Sequence, residues 1–187
     1  MFVRSRVRPT LATLGLVAAV ALVACGSDEV TQEDYRAATG EVCAKYQKTI
    51  EADQARVERL GANSDQNPEP FVAAVRKFQR NWDRFAAALK AVEQPPEDRQ
   101  ELKRFFATLT TSQDRVADLA STVDQLPGLA AEAEAVEQSQ DRAQAEALIA
   151  RAEDLQSELQ RTEAGFEKSI AQVERFVNRY PGLADCR

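Results

Sequence analysis

Histidine is missing from all 187 residues. Its absence removes imidazole as a metal ligand, a haem ligand and a general base, and with it any serine or cysteine nucleophile that a histidine would activate. Cysteine is nearly as scarce: Cys25, Cys43 and Cys186 are the three in the chain, too few for a four-thiolate zinc site. The seven glycines build no phosphate-cradling loop, no G-x-S-x-G elbow and no calcium loop. A bilayer span takes about 20 apolar residues, and the apolar run at residues 11–24 falls short of that. Sustained apolar-polar alternation is absent too, so strands are not expected. An enzyme, a metal and a cofactor are therefore not expected.

What is present begins at the N-terminus. Arg4, Arg6 and Arg8 precede residues 11–24, which carry no charge; a positive start before an apolar run is the pattern of a secretory signal. The run ends in Leu22-Val23-Ala24-Cys25-Gly26. These five residues resemble the lipobox of bacterial lipoproteins. The resemblance implies that the Cys25 thiol receives a diacylglyceryl group, that the chain is cut between Ala24 and Cys25, and that the new amine is often acylated as well. Each buried methylene contributes about 0.8 kcal/mol, so one acyl chain binds reversibly and two or more anchor stably. The plainer alternative is ordinary cleavage at a small-residue site with Cys25 incidental. The expected organisation is a removed signal at 1–24, a lipidated tether at 25–34 and a helical domain at 35–187. The implied location is the extracytoplasmic face of the cell membrane, with the membrane as partner through the lipid.

Loss of residues 1–24 removes three arginines and no acid, moving the formal charge from −6 to −9, which makes nucleic acid and anionic headgroups poor partners. With Cys25 set aside, Cys43 and Cys186 remain as an even pair in an exported protein, and a disulfide between them is expected. Closing so long a loop restrains the unfolded chain by about 5 kcal/mol in the entropy model. Two free buried thiols are the alternative.

Apolar spacing predicts four helices. The first, over 31–60, lines up Tyr35, Thr39, Val42, Tyr46, Ile50, Val57 and Leu60; the second, over 68–93, lines up Phe71, Val75, Phe78, Trp82, Phe85, Leu89 and Val92. The third, over 97–126, turns Leu102, Phe105, Phe106, Leu109, Val116, Leu119, Val123 and Leu126 inward and stops at Pro127. The fourth, over 139–179, carries Leu148, Ile149, Ala152, Leu155, Leu159, Thr162, Phe166, Ile170, Val173 and Val177 and ends before Pro181 and Gly182. Residues 129–138 either extend it backwards or form a helix of their own. Short connections make the expected fold all-α: an antiparallel up-down-up-down four-helix bundle, partly coiled-coil-like. In that topology Cys43 and Cys186 fall at one end, whereas parallel outer helices would hold them tens of ångströms apart.

Glu132, Glu134 and Glu137, like Glu163 and Glu167, are interleaved with Arg142, Arg151, Arg161 and Lys168, so they read as surface charge and no acid is expected to be buried. The aromatic residues Phe71, Phe78, Trp82, Phe85, Phe105 and Phe106 read as core, with a gap for an apolar ligand or sugar near Trp82 and Phe106 as the alternative. Phe105 and Phe106 stand about 100° apart on a helix, which makes Phe106 a candidate exposed contact. Beyond the lipobox, the arginine-rich helices and the terminal cysteine pair resemble small helical lipoproteins of Gram-positive actinobacteria, a family that brings no activity to transfer. The function expected is a membrane-anchored binding or scaffold module that meets an envelope protein. A small-ligand carrier is the second reading.

Overall fold

The computed structural model describes residues 29–62, 64 and 67–186. The signal region 1–24 and the lipidation residue Cys25 lie outside the described residues. Within them the chain is all-helical, with α1 at Gln32–Gly61, α2 at Pro68–Lys90, α3 at Arg99–Val123, α4 at Leu126–Ser139 and α5 at Arg142–Arg179. Short 3-10 segments occupy Pro96–Asp98 and, at the C-terminus, Pro181–Cys186. No helix among the described residues is long and apolar enough to cross a membrane.

Local chemistry sets the helix starts. Thr31 opens α1 with a capping box: the Asp34 amide donates to Thr31 Oγ1 at 3.2 Å, and the Thr31 amide donates to Asp34 Oδ2 at 3.1 Å. Both otherwise orphaned donors are thereby satisfied, and α1 starts within one residue of the expected 31. Pro68 opens α2, where a missing amide proton costs nothing and φ is already helical. At the α4–α5 turn Gln140 takes the left-handed conformation, φ 55°. Asp141 then caps α5 by accepting from the amides of Ala143 and Gln144 at 2.9 and 3.2 Å.

One expected boundary changes: the third helix ends at Val123 rather than at 126. Residues 129–138 take the second of the two expected alternatives, a helix of their own within α4. Five helices are therefore present among the described residues. Pro127 does not stop a helix: it lies in the first turn of α4, the one helical position that needs no donor. Asp124 and Gln125 between α3 and α4 keep right-handed helical backbone, so the chain bends there without reversing.

Side-chain pairs show how the helices meet. Tyr46 rests on Phe85, Asp53 on Lys77, and Gly61 next to Phe71, so contacts climb α1 as they descend α2. Lys90 bonds Thr110, Asp83 bonds Gln113, and Arg76 pairs with Asp124, the same relation between α2 and α3. Phe105 stacks on Phe176, Arg115 lies against Gly165, Thr122 bonds Glu158, and Glu132 pairs with Arg151. The long α5 thus runs along α3 and then along α4. One core gathers Phe78, Trp82, Leu89, Leu102, Phe105, Leu109 and Val116 from α2 and α3 with Tyr35 and Cys43 of α1 and Val173 of α5. A smaller one joins Val72 and Val75 to Ala120 and Val123. Ile149, expected to face inward, is 58% exposed. Only α4 flanks that part of α5, and α4 buries none of its own residues.

Candidate binding groove

The C-terminal 3-10 segment ties the last residues to the first helix. Cys43 and Cys186 are joined in a disulfide, their Cα atoms 5.1 Å apart across 143 positions of sequence. Around it, Asp185 accepts a two-pronged pair from Arg36, at 3.0 Å from Nε and 2.9 Å from Nη2. Thr39 donates from its buried hydroxyl to the Gly182 carbonyl at 2.8 Å. A methyl on Gly182 would come within 2.6 Å of the Tyr180 ring and 3.0 Å of the Tyr35 ring, so only glycine fits between them.

The two tyrosines complete this end. Tyr180 donates to Asp98 at 2.6 Å, and Gln32 donates to the same oxygen at 3.1 Å, drawing the starts of α1 and α3 to the end of α5. Burial first, and then hydrogen bonding to Asp98 and the charge of that carboxylate, push the Tyr180 hydroxyl well above the usual tyrosine range. Tyr35 is fully buried, its hydroxyl has no hydrogen-bond partner among the described residues, and burial followed by the Asp98 charge pushes it up to about 12.

Between α1 and α5 the packing stops. These two helices do not form a packed pair among the element contacts, and an open groove of about 700 Å³ lies between them. Its floor is Phe78, Trp82, Phe85 and Leu89 of α2 with Phe105 of α3; one wall is Cys43, Gln47, Ile50, Glu51 and Gln54 of α1, and the other runs from Phe166 to Asn178 of α5. The disulfide and Leu183 line it too. From Cys43 to Gln54 the groove follows α1 for about 17 Å at 1.5 Å per residue. A volume of this size, an apolar aromatic bed and a few polar groups at the edge are the usual make-up of a small-molecule site.

Trp82 carries the site's most informative atom. The residue is 7% exposed, lines the groove, and its indole nitrogen has no hydrogen-bond acceptor among the described residues. A buried donor without a partner costs about 1–3 kcal/mol, and the nitrogen itself is closed off from solvent. The polar lining is one-sided in charge: Glu51, Glu167 and Glu174 contribute carboxylates, and no lysine or arginine lines the groove.

The sequence reading took Trp82 as core, with a gap near Trp82 and Phe106 as the alternative; Trp82 lies in the main core at 7% exposure and also lines the groove. Phe106 is not part of the lining; it is half-buried with its ring 5.3 Å from that of Phe105, and the large apolar side chain that stands exposed is Ile149. The expectation that no acid is buried is overturned by Asp53, which is 3% exposed. It accepts from Lys77 at 2.7 Å and from Asn81, and this double partnership makes a buried carboxylate tolerable. Its place in the inner stripe was signalled by the empty step between Ile50 and Val57. Among the described residues no group of three or more acids or cysteines is arranged to hold a metal ion. No protein-family model, curated protein or solved structure matches the chain.

Proposed function

We propose that this protein is a lipoprotein anchored through Cys25 to the extracytoplasmic face of a bacterial cell membrane, and that its helical domain is a binding module whose site is the groove between α1 and α5. The observation that carries the binding reading is the groove itself: a space of about 700 Å³ over an aromatic floor, edged by a few polar groups. That feature favours a small ligand with a large apolar part over the alternative of an envelope-protein partner. The anchoring reading rests on the sequence at Leu22 to Cys25. The domain works as an antiparallel up-down-up-down bundle in which α3 and α4 together serve as one column alongside α5. On this reading the start of α1 and the disulfide face the membrane and the groove opens sideways, within reach of molecules at the bilayer surface.

Two measurements test the proposal. Intact mass of membrane-extracted protein is expected to show a chain beginning at Cys25 and carrying acyl groups; an unmodified Cys25 refutes the anchor. Mass spectrometry of small molecules released from protein purified without detergent exchange is expected to yield a bound amphiphile that is absent from a Trp82→Glu/Leu89→Glu variant. Release of the same molecules from both proteins refutes the groove as the site.

A further inference from the structure

The groove's lining specifies the charge of what it takes. Its apolar residues would accept the body of almost any amphiphile, so selectivity falls to the polar groups at the edge. These are Glu51 on the α1 side and Glu167 and Glu174 on the α5 side, with amides from Gln47, Gln54 and Asn178. Glu51 accepts a hydrogen bond from Gln47 at 2.9 Å, which leaves its charge uncompensated. None of the three carboxylates belongs to an ion pair among the described residues. Walls of low dielectric concentrate the field of such groups in the space between them. An anionic head, whether a free fatty acid or an acidic phospholipid, would have to sit against three like charges.

We propose that the groove selects a cationic amphiphile, its apolar body on the bed around Trp82 and its positive end between Glu51 and the Glu167–Glu174 edge. This deepens the small-ligand reading of the same groove and rests on it.

The chain contains one tryptophan, so intrinsic emission reports the groove directly. The full-length lipidated protein, held in vesicles of zwitterionic phosphatidylcholine, is titrated with octanoylcholine, octyl glucoside and octanoate below their micelle-forming concentrations, with free ligand measured by dialysis. These probes share tail length and differ in the charge of the head. Octanoylcholine is expected to bind about tenfold more tightly than octanoate at low ionic strength, with the difference shrinking as salt screens the edge. The triple variant Glu51→Gln/Glu167→Gln/Glu174→Gln is expected to bring cation and anion within about twofold of each other and of octyl glucoside. Equal binding of octanoate and octanoylcholine by the parent protein overturns the charge selectivity and leaves the groove intact as a site. Absence of any emission change or calorimetric binding with all three probes overturns the small-ligand reading as well.

Discussion

Replacing Cys186 with serine is expected to weaken the fold far more than the loss of one half-buried side chain would. The bridge it forms spans 143 positions, and the chain-entropy relation assigns about 5 kcal/mol to a loop of that length. The native state has little reason to change on reduction. Arg36 still holds Asp185 with two hydrogen bonds, and Thr39 still donates to the Gly182 carbonyl. The effect therefore enters through the unfolded ensemble, which gains the freedom the bridge denied it. Urea unfolding followed by Trp82 emission reads this directly, since a slope of about 1–3 kcal/mol per molar urea turns that loss into a midpoint lowered by about 2 M. The slope is also expected to rise, because an unbridged chain exposes more surface when it unfolds. Parent protein treated with excess dithiol should reproduce both changes. A midpoint lowered by less than about 0.3 M, in the variant and in the reduced parent alike, would refute the reasoning, because the bridge would then close a loop that the unfolded chain keeps closed by other means.

Other expectations concern packing and charge. Gly182→Ala forces a methyl to within 2.6 Å of Tyr180 and is expected to cost about 1–3 kcal/mol in thermal unfolding, whereas Gly128→Ala, with nothing within 4 Å of the added atom, is expected to be neutral or mildly stabilising. Lys77→Met strands the buried Asp53 carboxylate with Asn81 alone and is expected to cost about 2–3 kcal/mol, since Lys77 is itself half exposed; the double change Asp53→Asn/Lys77→Met should recover most of it, and a double-mutant cycle showing simple additivity would count against the pair. Tyr35→Phe removes a buried hydroxyl that has no partner and is expected to leave stability at neutral pH unchanged or higher by up to about 1 kcal/mol. The same tyrosine keeps its proton up to about pH 12 in the folded protein, while the unfolded chain releases it near 10. Ionisation of the unfolded chain therefore draws down stability only above about pH 10, and the loss grows as pH rises towards 12. The variant should lose stability less steeply over that interval, with Tyr180 supplying the remainder, and an equally steep fall would mean that the Tyr35 hydroxyl is not sequestered.

The second and third helices were the most legible parts of the chain, because four of the seven stripe residues of α2, Val75, Phe78, Trp82 and Leu89, and five of the eight of the third helix, Leu102, Phe105, Leu109, Val116 and Val123, are buried where spacing put them. Such regularity reports a helix that meets neighbours on one face along its whole length. Spacing misleads where the neighbours run out. Ile149 keeps the rhythm of α5 yet stands exposed, since its partner there is a short helix with no buried residues of its own. Proline misled in the opposite sense: Pro127 has the same chemistry at a stop and at a start, and only the φ and ψ of Asp124 and Gln125 separate the two. Asp53 was hidden by attention to apolar residues alone. Its position between Ile50 and Val57, opposite Lys77 and Asn81 spaced by one helical turn, was a readable signal for a buried polar pair. The groove had no such signal, because it depends on the distance between α1 and α5, which are remote in sequence and are set apart by what each packs against.

The groove's openness and its charge have a common origin. In antiparallel bundles the first helix ordinarily packs on the last and both apolar stripes are buried, whereas here α1 and α5 stay apart. At one end the 3-10 segment Pro181–Cys186 packs against both helices and acts as a spacer fixed by the disulfide. Farther along, closure would bring the Glu51 side of α1 towards Glu167 and Glu174 of α5. No lysine or arginine lines the groove to neutralise them. Like charges driven together as their water is stripped away repel and lose hydration at once, and that cost opposes the gain from covering the half-buried Ile50, Phe85, Phe166 and Ile170. A positive charge placed between the walls reverses the sign of the first effect and offsets the second. On this argument, neutralising the three glutamates draws α1 and α5 together in the absence of ligand. Paired spin labels at Lys48 and Arg175 should then report a shorter and narrower distance in the triple glutamine variant than in the parent, and an unchanged distribution would assign the open groove to the 3-10 spacer alone.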